Sequence, residues 1–232
     1  FRSAFRRVSI VCLVHNPPMQ VPGILAPRRL LLCAIALTLA ALLQPACAQN
    51  TNDDVIVQMK QAFQRGDKAR LAALLPQARG HALEPWAAYW ELKARLNEAS
   101  PREVQDFLAR YAGTYQEDRL RNDWLLLLGQ RRDWDGFADM YAGFRMRDDA
   151  QVQCYATLVD ILKTGAATKA QVESVRDTWL RQRDADDGCL TAADRLIASR
   201  LLTPETAWKK ARLAIESNRP QAARAAITLA AP

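Results

Sequence analysis

The chain has 232 residues, with 32 basic and 25 acidic side chains and a formal net charge of +7. Residues 1–48 hold five arginines and no acidic residue, so residues 49–232 hold 27 basic and 25 acidic side chains and a net charge of only +2. A bulk charge of this size does not attract a polyanion, and we therefore expect no nucleic-acid partner.

The first part of the chain has the pattern of an export signal. Arg28 and Arg29 precede an apolar stretch over residues 30–43, and the tripeptide Ala-Cys-Ala at residues 46–48 is a small-x-small cleavage site. The apolar stretch has 14 residues. A membrane-spanning helix needs about 20. The pattern therefore favours a cleaved signal over a membrane anchor.

This signal divides the chain into three parts. The first methionine is Met19, so residues 1–18 are predicted to be upstream or mis-started sequence. Residues 19–48 are predicted to be the signal peptide. The remaining part, residues 49–232, is predicted to be an exported, periplasmic domain without a stable membrane anchor.

The cleavage site is predicted to lie between Ala48 and Gln49. A lipoprotein signal that ends at Cys47 is the alternative. Gln44 and Pro45 stand where such a signal has small or apolar residues, and they disfavour it.

Apolar side chains in residues 49–232 recur with helical spacing, as Trp86, Tyr89 and Trp90 do. Runs that alternate as strands do are absent from the sequence. The pattern predicts an all-α fold of eleven short helices. Their ranges are near 53–65, 67–78, 85–98, 101–111, 118–130, 133–143, 149–164, 169–182, 188–200, 204–217 and 220–229.

Start and stop signals support these helices. Ser100 with Glu103 and Thr168 with Gln171 have the spacing of a capping box. The Thr-Pro-Glu sequence at residues 203–205 repeats the Ser-Pro helix start at residues 100–101. The further signals are Thr203 for a helix start and Gly66, Gly143 and Gly165 for helix ends.

One turn sequence recurs, at residues 63–67, 130–134 and 216–220, and each copy closes one helix and opens the next. The aligned aspartates of the first two copies, Asp67 and Asp133, lie 66 residues apart, near twice a 33-residue helical repeat. Short helices with such turns predict an α-solenoid (α-superhelix) of stacked helical hairpins. The Ala-rich last helix needs a covering neighbour, so we expect the domain to be truncated at its C-terminus.

Few residues in this domain are typical of catalysis. His81 is its one histidine, and no Gly-rich phosphate loop, Gly-x-Ser-x-Gly motif or metal-ligand spacing accompanies it. We predict His81 to be a loop or helix-boundary residue. No catalytic, cofactor-binding or metal-binding residue is predicted.

Cys154 and Cys189 are the two cysteines of residues 49–232. An even number in an oxidising compartment predicts one disulfide, and two buried free thiols are the alternative. A bridge that closes 35 residues is expected to stabilise the fold by about 3 to 4 kcal/mol.

Two further sets of residues have both a structural and a functional interpretation. Tryptophans stack on sugar rings or fill the core, and we predict the core for each. Acidic pairs at helix starts are explained by the helix dipole. The tryptophans are Trp86, Trp90, Trp124, Trp134, Trp179 and Trp208, and the acidic pairs are Asp53-Asp54, Asp148-Asp149 and Asp186-Asp187.

An ordered set of short motifs extends over about residues 80 to 210. They are EPWAAYWEL at 84–92, VQDFL at 104–108, RLRNDWL at 119–125, RDW at 132–134, QCY at 153–155, WL at 179–180, CL at 189–190 and WK at 208–209. Their order and spacing resemble the N-terminal superhelical region of the large soluble lytic murein transglycosylases.

This resemblance implies a U-shaped α-superhelix that forms a ring with a linker domain. It also implies a C-terminal lysozyme-like domain, in which one glutamate acts as acid and then as base. Such enzymes cleave peptidoglycan between N-acetylmuramic acid and N-acetylglucosamine and leave a 1,6-anhydro end. The family has a disulfide in the superhelix, which Cys154 and Cys189 match.

The family's catalytic motif is Glu-Ser followed at a distance by Gly-Leu-Met-Gln. Glu216-Ser217 is not followed by that motif here. The resemblance therefore implies that the catalytic domain is missing from this chain, and that the chain alone is inactive and needs no cofactor. The implied partners are peptidoglycan glycan strands and the protein's own catalytic domain.

A second hypothesis is a non-enzymatic periplasmic adaptor that binds a protein partner in a concave groove.

If the chain is instead part of a lytic transglycosylase, exposed basic residues are expected to meet the carboxylates of peptidoglycan stem peptides. The alternative for each is a solvated helix face with i,i+4 ion pairs. These residues are Arg119, Arg121, Arg131 and Arg132.

Overall fold

The structure, a computed structural model, describes residues 46–231, with side chains from residue 53 onward. All but the last three residues of the predicted signal peptide lie outside this range, so cleavage between Ala48 and Gln49 stays a prediction. Within the range, no helix has both the length and the apolar character needed to cross a membrane.

The described residues form eleven α-helices and one 3-10 helix, with no strand among them. The predicted all-α fold is confirmed. The helices are α1 (Ala46–Gln64), α2 (Lys68–Leu74), the 3-10 helix (Leu75–Ala78), α3 (Glu84–Ala94), α4 (Pro101–Arg110), α5 (Tyr115–Arg131), α6 (Trp134–Tyr141), α7 (Ala150–Thr164), α8 (Lys169–Arg181), α9 (Asp187–Ala198), α10 (Pro204–Glu216) and α11 (Pro220–Ala230).

Both predicted capping boxes form. At α4, the Ser100 hydroxyl accepts from the Glu103 N–H, and the Glu103 carboxylate accepts from the Ser100 N–H. Thr168 and Gln171 make the same reciprocal pair at α8. Caps of this kind typically stabilise a helix by about 1 kcal/mol. Thr203 precedes α10, but its side chain makes no capping hydrogen bond.

The recurring turn has one backbone geometry in all three copies. A residue with positive φ follows each helix, namely Gly66 at 68°, Arg132 at 60° and Asn218 at 55°. The next N–H then donates to the carbonyl five residues earlier. These bonds are Asp67 to Ala62 (2.9 Å), Asp133 to Leu128 (3.0 Å) and Arg219 to Ala214 (2.8 Å). This is a Schellman-type end, which satisfies free carbonyls and leads straight into the next helix.

Several predicted boundaries of the first helices were wrong. α1 begins at Ala46 rather than near residue 53, because no Gly or Pro interrupts residues 46–65. The single helix predicted over 67–78 is α2 followed by the 3-10 helix. Pro76 causes this change, since it lacks an N–H and its ring clashes with a regular α-helix.

Two later boundaries also differ from the prediction. α3 ends at Ala94 because the amides of Arg95 and Leu96 bond to carbonyls three residues back, and this tighter turn directs Leu96 into the core. α5 begins at Tyr115 rather than near residue 118. Thr114 is its N-cap and accepts a hydrogen bond from the Glu117 N–H.

The apolar faces of the helices form successive cores rather than one centre. The first core includes Met59 and Leu71, the second Leu125 and Tyr155, and the third Trp179 and Leu196. Trp90 packs against the first and second cores, and Trp134 against the second and third. Most helix contacts join elements close in sequence, as α5 with α6, α7 with α9 and α10 with α11. This is the arrangement of a solenoid, in which each hairpin covers its neighbour.

A buried lysine joins α10 to the end of α8. Lys210 is 2% exposed, and its Nζ donates to the Trp179 carbonyl at 2.7 Å and to the Gln182 carbonyl. A cation at a helix C-terminus is favoured by the helix dipole. Burial lowers the pKa of Lys210, and the charges of Asp186 and Asp184 oppose that effect. The contact therefore links two helices that are separated by α9.

Gly129→Ala is expected to lower the free energy of unfolding by about 1 to 3 kcal/mol. A Cβ at this position of α5 would lie 2.4 Å from Cε2 of Tyr155, whose ring is fully buried and cannot move away without repacking. Denaturant unfolding measures the loss.

Gln130→Ala is the matched control, because Gln130 is the next residue of α5 and is exposed. Its stability should stay within about 0.5 kcal/mol of the parent chain. A Gly129→Ala variant as stable as this control would contradict the close packing of α5 on α7.

Candidate functional site

A disulfide ties α7 to the start of α9. Cys154 and Cys189 are bonded, with Cα atoms 4.9 Å apart, and both are almost fully buried. Gly188 allows this approach, because a Cβ there would lie 2.5 Å from the Gln151 carbonyl oxygen. Asp186 caps α9 by accepting from the Cys189 N–H at 2.7 Å. The cap, the glycine and the bridge together fix the first turn of α9 against α7.

A charged network lies beside this disulfide. Arg132 donates to both carboxylate oxygens of Asp187, at 2.5 and 2.9 Å, and the Tyr155 hydroxyl donates to the same carboxylate. Burial opposes ionisation of Asp187, but the hydrogen bonds from Arg132 and Tyr155 outweigh it and lower its pKa. Burial and the bond to Asp187 raise the pKa of Tyr155. The network thus holds one carboxylate ionised and orders the turn after α5.

A second polar network lies at the start of α5. Glu117 accepts from Arg121 at 2.5 Å and from Arg145 at 2.8 Å, and Asp118 accepts from the backbone N–H of Arg145 and Met146. Glu117 and Asp118 are 3% and 1% exposed. Arg121 was predicted to be exposed, and this was wrong, because its side chain turns back to Glu117 and is only 14% exposed. These groups join α5 to the loop after α6.

His81 lies in the loop before α3, as predicted. Its Nδ1 accepts from the Leu83 N–H at 2.9 Å, which places the proton of the neutral ring on Nε2. Nε2 lies 2.8 Å from Oδ1 of Asp53. Both ring nitrogens therefore have partners, and the residue has a structural role.

Of the predicted acidic pairs, Asp53-Asp54 lies within α1 rather than at its start, whereas Asp149 and Asp186 do stand at helix starts. Glu216 and Ser217 are exposed at the end of α10. Asp149 caps α7 by accepting from two backbone N–H groups, as Asp186 does for α9. Among the described residues, no group of three or more His, Cys, Asp or Glu is placed to hold a metal ion.

The tryptophans follow the prediction with one exception. Trp124 and Trp179 are 2% exposed, and three others are partly buried against the cores. Trp208 contradicts the prediction, since it is 45% exposed. The inner face of α10 is formed by Ala207, Ala211 and other small residues spaced three or four apart, and Trp208 lies off that face. The partly buried residues are Trp86, Trp90 and Trp134.

Sequence reasoning missed a row of aromatic rings across α1, α3 and α5, which we call the aromatic row. It runs from Phe63 through Trp90 and Trp86 to Tyr115, with ring centroids 6.4, 5.9 and 5.8 Å apart. Trp86 and Trp90 are one turn apart in α3, so their pairing was visible in the sequence. The outer two rings come from helices whose packing the sequence does not reveal.

A polar group adjoins the row, and we call it the Asp123 cluster. The Asp123 side chain is 4% exposed, with Lys93 Nζ at 2.7 Å and the Tyr89 hydroxyl donating at 2.8 Å. Arg119 lies beside Tyr89, and the negative charge of Asp123 helps to raise the pKa of its guanidinium. Burial and the neighbouring carboxylate raise the pKa of Tyr89. One cation therefore binds this carboxylate, and a second lies near it, at the seam between α3 and α5.

No protein-family model matches the chain, and no curated protein matches it. Among solved structures, the chain is similar to an inactive mutant of the lytic transglycosylase Slt from Pseudomonas aeruginosa, with 27% sequence identity and a TM-score of 0.52. The alignment covers 75% of this chain and 28% of that chain. The chain thus has a lytic transglycosylase-like, α-superhelical fold and spans about 28% of the length of that enzyme.

Replacing both bridged cysteines by alanine is expected to lower the free energy of unfolding by about 3 to 4 kcal/mol, because the unfolded chain regains the freedom of the closed loop. The loop joins Cys154 to Cys189, which are 35 residues apart. Urea unfolding with and without a thiol reductant measures the change. The reductant should destabilise the parent chain alone, and an equal effect on the double variant would contradict the assignment.

Glu117→Gln is expected to reduce the pH dependence of stability. The pKa of Glu117 lies below its ordinary value of 4.5, because the bonds from Arg121 and Arg145 outweigh its burial. Its contribution is therefore present above the unfolded pKa and is lost as the pH falls through the lower folded pKa. Unfolding free energies between about pH 3 and about pH 7 measure the slope.

At neutral pH the same variant should lose about 1 to 3 kcal/mol, since two arginines lose a charged acceptor. Glu98→Gln is the control, because Glu98 is a surface residue with a side chain that is 65% exposed. It should keep the parent's pH slope. Equal slopes for all three chains would show that Glu117 is not held ionised by its arginines.

Proposed function

We propose that this chain is the N-terminal helical scaffold of a periplasmic lytic transglycosylase that acts on peptidoglycan. The observation that carries the proposal is the likeness to the lytic transglycosylase Slt, at 27% identity over 75% of this chain. The ordered motifs between residues 84 and 209 support it. Such an enzyme cleaves the bond between N-acetylmuramic acid and N-acetylglucosamine and leaves a 1,6-anhydro end.

The chemistry of this reaction is assigned to another domain of the same protein. Glu216 is exposed and has no Gly-Leu-Met-Gln sequence after it. Glu84, Glu117 and Asp187 are buried or half-buried acids with lowered pKa, and each is bound by an arginine. A general acid needs a raised pKa and a free carboxyl group, so these three do not fit that role. Burial raises the pKa of Asp186, but its Oδ1 caps α9 by accepting from the Cys189 N–H, which is a structural role. We therefore expect the chain alone to be inactive.

The role of this part is to bind and orient glycan strands and to contact the catalytic domain. The outer faces of α10 and α11 support such a contact, because Trp208, Ile215 and Ile227 are 45%, 63% and 36% exposed. The outer face of a terminal solenoid repeat is otherwise polar. We assign this face to further parts of the same polypeptide.

Periplasmic location is part of the proposal. The leader pattern of residues 19–48 supports it. The bridge between Cys154 and Cys189 agrees with it, because disulfides persist in oxidising compartments.

An adaptor without enzymatic activity is the second candidate. The exposed side chains of Trp208, Ile215 and Ile227 favour it, because a separate protein partner would bury them. The two candidates differ in whether the protein that contains this chain cleaves peptidoglycan.

The test is to express the full reading frame that contains this chain and to incubate the product with purified peptidoglycan. We expect 1,6-anhydro muropeptides from the full product and none from this chain alone. Mass spectrometry of the released fragments identifies the anhydro ends.

Glu216→Gln in the full product is the control, and it should leave product formation unchanged because this glutamate is exposed and lacks the family motif. If the full product releases no anhydro muropeptide and instead forms a stable complex with another protein, the adaptor is the correct assignment. Loss of activity in the Glu216→Gln variant would place the chemistry in this chain and overturn the scaffold role.

A further inference from the structure

The last ring of the aromatic row is exposed and lies outside the hydrophobic cores. Tyr115 is 55% exposed at the first position of α5 and belongs to none of the buried clusters. Its ring nevertheless lies 5.8 Å from Trp86 and continues the line of rings toward solvent. Large aromatic side chains in such positions are enriched where a partner covers them.

The row offers successive apolar platforms. Phe63, Trp90, Trp86 and Tyr115 come from three helices, so their positions are fixed by the packing of α1, α3 and α5 rather than by one flexible segment. The carbon-bound hydrogens on one face of a pyranose pack on an aromatic ring as other apolar surfaces do. A sugar ring therefore fits the exposed ring of Tyr115 and the aromatic side chains beside it.

The Asp123 cluster adds charge next to these platforms. Tyr89 connects the two, since its ring lies 5.7 Å from Trp86 in an edge-to-face arrangement and its hydroxyl binds Asp123. Lys93 binds that carboxylate and Arg119 lies beside Tyr89, so the cluster holds two cations and one carboxylate and has one positive charge in excess. The Lys93 side chain is 35% exposed and keeps donors free for a ligand.

We propose that the aromatic row and the Asp123 cluster together form a binding surface for an anionic glycan strand, with ring faces on the aromatic side chains and carboxylates on Lys93 and Arg119. The inference deepens the proposed function and rests on it. Peptidoglycan has both parts of this chemistry, because carboxylates occur on its lactyl groups or stem peptides. A neutral glycan would use only the rings.

Co-sedimentation of the purified chain with isolated peptidoglycan tests the surface. Tyr115→Ala is expected to weaken the apparent Kd about fivefold, the size expected for one lost aromatic contact. Tyr115→Phe keeps the ring and should bind as the parent chain does. Lys93→Gln should also weaken binding about fivefold, and added salt should weaken the parent more than this variant.

The chain offers matched controls at its other end. Trp208→Ala removes an aromatic side chain that is 45% exposed, and Lys209→Gln removes an exposed lysine, both on α10 and outside the surface. Both should bind as the parent does. Circular dichroism melting of every variant separates a lost contact from a lost fold.

A neutral chitin oligosaccharide is the second probe. The parent chain should bind it more weakly than peptidoglycan glycan, and Lys93→Gln should remove most of that difference. If the parent binds peptidoglycan but only Trp208→Ala weakens it, the surface is wrong and the proposed function stands. If the parent binds no peptidoglycan at all, the surface and the glycan-binding role both fail. Equal binding of the two glycans by the parent would overturn the role of the cations.

Discussion

The rest of the structure depends on how closely α5, α7 and α9 approach one another. Two glycines set that distance, because the Tyr155 ring lies where a side chain on Gly129 would be and the Gln151 carbonyl lies where one on Gly188 would be. Only at this spacing can the disulfide join α7 to α9. The second and third cores meet at the same joint through Trp134. Steric fit therefore decides the path of the superhelix here, and the charged groups follow it.

The parts of the fold that could be predicted are those that depend on neighbouring residues. The capping box of Ser100 and Glu103 and the turn at Gly66 involve residues at most a few positions apart, so the sequence contains all that is needed. The exposure of Trp208 could not be predicted. The apolar residues of α10 lie on two adjacent faces, and the sequence does not indicate which of these faces the neighbouring helices cover. Glu117 was not identified as a buried ion-pair residue for a related reason, since its partner Arg145 is 28 residues away and on another element.

The candidate site also depends on contacts between residues that are distant in sequence. The aromatic row is assembled from three helices, and only its Trp86 and Trp90 pair has a local spacing that sequence reasoning could use. The likeness to Slt and the ordered motifs between residues 84 and 209, rather than any reactive group, support the proposed function. The ionisable residues with the strongest burial, such as Asp118 and Lys210, have their hydrogen bonds within the fold. Charged groups that are bound in this way stabilise the fold.

The alanine interface between α10 and α11 has a consequence for how the chain opens. These two helices bury small side chains, and neither has a side-chain cap at its start. In a solenoid, stability is close to a sum over repeats and the contacts between them, so segments can open separately. The region around the disulfide is crosslinked and densely packed, whereas the last pair relies mainly on Lys210 and alanine contacts. We therefore expect amide hydrogen exchange to be graded along the chain, fastest for the protected amides of α11 and slowest for those of α5 and α7.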